Sequence, residues 1–324
     1  MKRKFVVKRM SILRVLAITV AILLVFSACT TLTLNYLFIK SNYYRSVNNI
    51  FKFENVPNQI DVAIFGSSHA EYAFGYPNIP GKTVFNFSMA SQIPYYDNQL
   101  AQEYRTHFSQ NCVAVIVVSF FSLYFSLNMP GVRMPERYYR LLAPENVPHA
   151  TLGESLKYKY FPLFSSNEGL KHCFEKRDKN LNYELPNYHM PEEKDFDRVA
   201  AERAFYHYAS SGGVDKPIAA PENLSAYMNL IETFLALPQG KVVLLIPPYS
   251  RQYVDSFPVA FLESFYKEID KILALYPDIA YFNYSRSEKY MDHWEWFVAS
   301  DHLSDVAREQ FVAEFFLGWQ KHYC

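Results

Sequence analysis

Asp61-Val62-Ala63-Ile64-Phe65-Gly66-Ser67-Ser68-His69 is a short apolar run that stops at a glycine and two serines. Such a run reads as a buried strand ending in a tight turn. Thr83-Val84-Phe85-Asn86-Phe87 repeats the form, and Val113-Ala114-Val115-Ile116-Val117-Val118 is β-branched and unbroken, as in a strand covered on both faces. Residues 95–109 between them are long enough for a helix. Further on, a helix starts near Pro221 and ends before Pro238, Lys241–Ile246 forms a strand stopped by Pro247-Pro248, and Val259–Leu275 reads as helix. Residues 279–283 supply a fifth strand. Ser304 can cap a closing helix whose Phe311, Phe315, Phe316 and Trp319 recur at helical spacing.

Five strands joined by helical crossovers predict an α/β chain, a three-layer α/β/α sandwich on a five-stranded parallel sheet of flavodoxin-like form. In such sheets the crevice lies at the carboxyl ends of the strands. Chemistry is therefore expected at residues 66–69, 86–91, 119–122 and 247–251 and around His302. Regularity fails between residues 124 and 217, where Pro, Tyr, Asn and charged residues dominate and a helix is predicted only over 192–210. This stretch reads as an insertion in a domain spanning 60–324.

Ahead of the domain, Lys2, Arg3, Lys4, Lys8 and Arg9 precede an apolar stretch from Val15 to Phe38 interrupted only by Ser, Thr, Cys and one Asn. It is long enough to cross a bilayer, which takes roughly 20 residues. Residues 1–40 are thus expected to be a cytoplasmic basic stub and a single-pass signal anchor, with 41–59 a connector and the domain outside the cytoplasm. The alternative is a lipoprotein cleaved and lipidated at Cys29, because Phe26-Ser27-Ala28-Cys29 resembles such a processing site. The continued apolar run through Leu32, Leu34, Leu37 and Phe38 favours the anchor.

The 32 Lys plus Arg balance 32 Asp plus Glu, so no net field recruits nucleic acid. Only Cys112, Cys173 and Cys324 lie beyond the apolar stretch, without paired spacing, so neither a disulfide scaffold nor a cysteine zinc site is expected, though one disulfide is open. His293 and His302 form no metal-binding spacing and no phosphate loop occurs, so neither metal nor cofactor is expected. Aromatic residues make up 17% of the chain, and Tyr76, Tyr95, Tyr96, Tyr124, Tyr138, Tyr139, Tyr249 and Tyr253 fall in or beside predicted loops. They suit sugar stacking or core packing equally.

Gly66-Ser67-Ser68-His69 places a serine where the glycine permits a sharp turn and backbone N–H groups can meet an oxyanion. A serine nucleophile needs a base with a pKa near 7 within hydrogen-bond reach. His302, in Ser300-Asp301-His302-Leu303-Ser304 before the last helix, meets that need. His69 either adds a second hydrogen bond in the crevice or makes a structural contact.

A serine after the first strand and a histidine before the final helix, together with residues 84–88 and 281–285, resemble the SGNH (GDSL-like) hydrolases, in particular a membrane-anchored bacterial branch that includes envelope-polysaccharide O-acetyltransferases. The resemblance implies that Ser68 is the nucleophile, with Ser67 where the family often has Asp, and His302 the base. The family's second block maps onto Asn86 and Ser91, so Ser91 replaces an oxyanion-hole glycine and offers its backbone N–H. The third block has no Asn here, and Ser119 or Ser122 would substitute. The acid usually found three residues before the histidine is Ala299. Asp301 can replace it only in a turn, since neighbouring side chains on an extended strand point apart; otherwise a backbone carbonyl orients the ring, and Asp292 and Asp305 are less well placed. The implied activity is an extracytoplasmic serine esterase or O-acyltransferase acting on an acyl, foremost acetyl, ester of a cell-envelope glycan or exopolysaccharide. An envelope-glycan biosynthesis partner is implied as well. The alternative is a catalytically silent SGNH-like domain that binds a glycan or a membrane partner.

Overall fold

Runs with no polar face are stable only in a sheet covered on both sides, and that is where these runs lie. The structure, a computed structural model, describes residues 2–129, 131–175, 190–211 and 217–323. Strands β1 (Ile60–Phe65), β2 (Val84–Asn86), β3 (Phe108–Val117), β4 (Lys241–Ile246) and β5 (Ala280–Asn283) form an all-parallel sheet in the order β2-β1-β3-β4-β5. The chain winds outward from β1 to β2, crosses back to β3 and continues in the other direction. The topological switch therefore falls between β1 and β3, the position at which doubly wound sheets open a crevice.

Register follows the period of two. Val62 and Ile64, Val113, Val115 and Val117, and Val243 and Leu245 face one side and pack with Phe74, Phe311 and Phe315. These come from helices α2 (Ser68–Phe74) and α7 (Asp305–Tyr323), numbered with α1 (Lys2–Ile39), α3 (Pro94–Glu103), α4 (Glu193–Ala209), α5 (Pro221–Leu235) and α6 (Val259–Leu275). On the opposite face Phe65 meets Phe234 of α5, ring centroids 5.6 Å apart, and Phe120 after β3 meets Phe265 of α6 at 5.2 Å. The three-layer α/β/α sandwich with a five-stranded parallel sheet is the observed architecture.

The described residues fall into two compact units. One comprises those of Met1–Phe51, Pro135–Arg140 and His149–Asn182, and the other those of Lys52–Met134, Leu141–Pro148 and Tyr183–Cys324. The stretch expected as one irregular insertion is thus divided: part belongs with α1, and α4 belongs with the sheet. Within α1, Ile12–Ile39 is 28 residues, long and apolar enough to cross a membrane; its most apolar window has a mean hydropathy of 2.6 and no buried residue. Cys112 and Cys173 are free and buried; Cys324 lies outside the described residues.

The turn after β1 is held from behind. The Gly66 N–H donates to Asp97 Oδ1 at 2.9 Å, and the Gln92 amide donates to the same oxygen at 2.6 Å. Burial pushes the Asp97 carboxyl up to about 7 against those two donors. A raised folded-state pKa means that the contribution is fully present below the unfolded value and is lost as pH rises through the folded one. The stability of wild type relative to Asp97→Asn should therefore fall between about pH 4 and pH 7, by about 4 kcal/mol at most. Urea unfolding of both proteins at several pH values reads that difference; a flat difference would show that Asp97 is charged throughout the range.

Candidate active site

Ser68 opens α2 immediately beyond the β1 turn. Ser67 caps that helix by accepting the His69 N–H at 3.3 Å. His302 comes from the far end of the chain, on a hairpin of β6 (Phe297–Val298) and β7 (His302–Leu303) in which Val298 pairs with His302. Its turn contains two consecutive non-glycine residues in the left-handed region, Ala299 (φ 51°) and Ser300 (φ 70°). Such residues cost roughly 1–2 kcal/mol each. Here the Ser250 hydroxyl donates to the Ser300 carbonyl at 2.7 Å and helps hold the turn.

That turn decides the position of the acid. Asp301 Oδ1 lies 2.8 Å from His302 Nδ1, and His302 Nε2 lies 2.9 Å from Ser68 Oγ. A carboxylate can only accept, so His302 carries its proton on Nδ1 and presents a lone pair to the serine hydroxyl. The extended-strand objection to an adjacent acid does not hold, because the backbone here is a turn.

The second carboxylate oxygen is also occupied. Asp301 Oδ2 accepts from His69 Nε2 at 3.1 Å and from Arg203 Nη2 and Nε at 2.9 and 3.3 Å. Burial raises the Asp301 pKa, but the His302 ring, the Arg203 guanidinium and the hydrogen bonds from both histidines outweigh it and hold the carboxyl well below its ordinary range. Asp301 is therefore an anion at neutral pH. Burial pushes His69 down to about 4 despite its hydrogen bond to Asp301, so this ring is neutral. Its Nδ1 lone pair faces two hydroxyls, Ser119 at 2.8 Å and Tyr249 at 2.9 Å, and accepts from one of them. Ser119 Oγ also reaches Ser67 Oγ at 2.9 Å, joining the loops after β1 and β3 at the switch point.

The other expected site residues are placed as follows. Asn86 is buried and committed to the fold, donating to the Gly75 carbonyl at 2.8 Å and accepting from the Ser88 N–H and hydroxyl at 3.0 and 2.5 Å. Ser91 is exposed with φ 57°, in a loop tied to the Gly66 carbonyl by the Met89 N–H and the Gln92 amide, both at 3.3 Å. Ser122 donates to the Ser119 carbonyl at 2.7 Å and pairs with the Tyr227 hydroxyl at 3.0 Å, so it braces the loop, whereas Ser119 enters the network directly. Tyr96, Tyr138, Tyr139, Tyr249 and Tyr253 are fully buried and Tyr124 nearly so. These six rings fill the core and offer no face to a sugar, which corrects the stacking alternative for them; Tyr76 is exposed and Tyr95 half-buried.

His69, Asp301 and His302 bring potential ligand atoms within 4.8 Å of one another. The set fits a cation poorly. Both rings already spend N–H bonds on the carboxylate, and the Arg203 guanidinium lies 2.9 Å from its second oxygen. Arg203 had no motif to mark it: it arises in the irregular stretch, on α4, where an acid–base pair i to i+4 such as Arg198 with Glu202 looks the same in sequence. The arrangement can deprotonate a serine hydroxyl, hold the resulting imidazolium against a buried anion, and keep that anion in one orientation through three further donors. No protein-family model matches the chain, and no curated protein matches it.

Proposed function

We propose that the chain is a membrane-tethered serine esterase or O-acyltransferase of the SGNH (GDSL-like) type, with its catalytic unit outside the cytoplasm and acyl esters of an envelope glycan or exopolysaccharide, acetyl foremost, as substrates. The observation that carries this reading is the continuous chain Ser68 Oγ, His302 Nε2, His302 Nδ1, Asp301 Oδ1, with links of 2.9 and 2.8 Å on either side of the ring. These distances lie inside the reach that nucleophile activation requires. In the first step Ser68 Oγ bonds to the ester carbonyl carbon while its proton passes to His302 Nε2. The oxyanion is met by backbone N–H groups, those of Ser68 and Ser91 being the candidates. Collapse expels the alcohol, which takes the proton from His302, and leaves an acyl-Ser68. Water or a sugar hydroxyl then delivers its proton to His302 as its oxygen bonds to the acyl carbon, and collapse breaks the acyl–Oγ bond while His302 returns that proton to Ser68 Oγ. The basic residues at the start of α1, ahead of its apolar stretch, favour a cytoplasmic N-terminus, which supports the outside location.

A fluorophosphonate probe tests this reading directly on the full chain in detergent. Wild type should label at Ser68, and both Ser68→Ala and His302→Ala should lose the label while keeping the wild-type circular dichroism spectrum. Folded wild type that resists the probe would sink the enzyme reading and leave a silent domain that binds a glycan or a membrane partner.

A further inference from the structure

In α1 the side chains of residues 12–33 are almost all exposed, a length of roughly 33 Å at about 1.5 Å per residue. A bilayer's hydrocarbon core is about 30 Å thick. Coverage of the helix begins immediately after that length. Asn35 is buried: its amide donates to the Tyr160 carbonyl at 3.0 Å, and its oxygen accepts the Leu163 N–H at 3.1 Å. The Cys173 thiol lies 3.3 Å from the Leu34 carbonyl, and Phe38, Leu163 and Cys173 form a small core with Leu34, Leu37 and Tyr44 around it. Residues 152–174, a series of short helical turns, are thereby fastened to α1 at one level.

The outward side of this segment is apolar. Leu152 is 77% exposed, Leu156 45%, Tyr160 56%, Phe164 61%, Leu170 60% and Phe174 75%. Six large apolar side chains in one short stretch exceed the scattered exposure normal for a water-facing surface. Lys157, Lys159 and Lys171 alternate with them in sequence. Aromatic rings and long basic side chains together are the composition of the membrane–water boundary, where a ring sits at headgroup level and an ammonium reaches outward from its apolar stem.

We propose that residues 152–174 form a collar embedded in the interfacial layer of the phospholipid leaflet where α1 leaves the hydrocarbon core. The collar is a second membrane contact, independent of the chemistry at Ser68 and resting on α1 as the anchor. Its occupant is the lipid itself: the collar continues the lipid-facing surface of α1, and the Asn35 clamp fixes it at the depth where the hydrocarbon ends.

The test reconstitutes the full chain in phosphatidylcholine vesicles containing a phospholipid with a diazirine near the glycerol end of one acyl chain, followed by irradiation, trypsin digestion and mass spectrometry. The expected result is lipid adducts on residues 160–171 at a yield several-fold above that on residues 252–267, which carry the exposed Val259 of the sheet unit. In the variant Phe164→Ser with Leu170→Ser, the adducts on 160–171 should drop several-fold while those on α1 persist. Adducts on α1 with only background on 160–171 would overturn the collar and leave the anchor standing. Background on both would overturn the anchor and the collar together.

Discussion

Replacing Asp301 by Asn should lower acyl transfer on the order of 10⁴-fold, the size of loss expected when the base histidine is held in the wrong tautomer. The reason lies in the donors around the carboxylate. Arg203 and His69 point three N–H groups at Oδ2, and His302 points one at Oδ1. An amide has one oxygen and one NH₂. Its oxygen must face the guanidinium, which can only donate, so its NH₂ faces His302 Nδ1 and forces the ring proton onto Nε2. The lone pair that accepts the Ser68 proton is then gone. Loss of one buried acceptor should also cost about 1–3 kcal/mol of stability. Arg203→Met added to Asp301→Asn should return part of the rate, because the amide can then turn its oxygen to His302 while His69 exchanges its tautomer through the Ser119 and Tyr249 hydroxyls. Hydrolysis of p-nitrophenyl acetate by the wild type, both singles and the double checks this. Equal rates in Asp301→Asn and wild type would mean that the carboxylate does not orient the base, and strictly additive losses in the double would refute the tautomer account.

Gly66→Ala should destabilise the sheet unit by about 2–4 kcal/mol, from backbone strain and overpacking together. Gly66 has φ 138°, and a Cβ there would lie 2.8 Å from the Val117 carbonyl oxygen, 3.0 Å from Ala70 Cβ and 3.2 Å from Val117 Cβ. None of these is the loose end of a flexible side chain. The obstruction lies between β1 and β3, under the turn that aims Ser68, so labelling at Ser68 should fall even in the molecules that remain folded. Gly81→Ala is the matched control: its φ is also positive, at 73°, but a Cβ meets nothing within 4 Å. It should cost only the left-handed strain, roughly 1–2 kcal/mol. Comparable losses in the two variants by urea denaturation would mean that close packing at the β1 turn contributes nothing.

Much of the sheet was legible because its strands are local patterns. Val113–Val118 and Lys241–Ile246 have no polar face, which leaves a doubly covered parallel strand as the only stable placement. Helices α4 and α6 were legible as segments: α4 falls within the expected 192–210, and α6 spans the expected Val259–Leu275. Helix α3 is shorter than expected, ending at Glu103, because the chain turns into β3 already at Phe108, where Phe108 packs on Phe234 with centroids 4.7 Å apart. The hairpin β6–β7 was not foreseen, since two strands of two residues each are too short to carry a period.

By itself, then, the sequence determined the five strands, the apolar length of α1, and a serine after β1 with a histidine before α7, all of which depend on patterns a few residues long. Only the tertiary structure decided what surrounds those two residues. Ser68 and His302 are 234 positions apart, Asp301 and Arg203 are 98 apart, and Asn35 is 128 from Leu163. Such distances are closed by the order of strands in the sheet and by two left-handed residues in one turn, and neither leaves a periodic mark on the chain: a hydrogen bond has no sequence spacing until the fold supplies one.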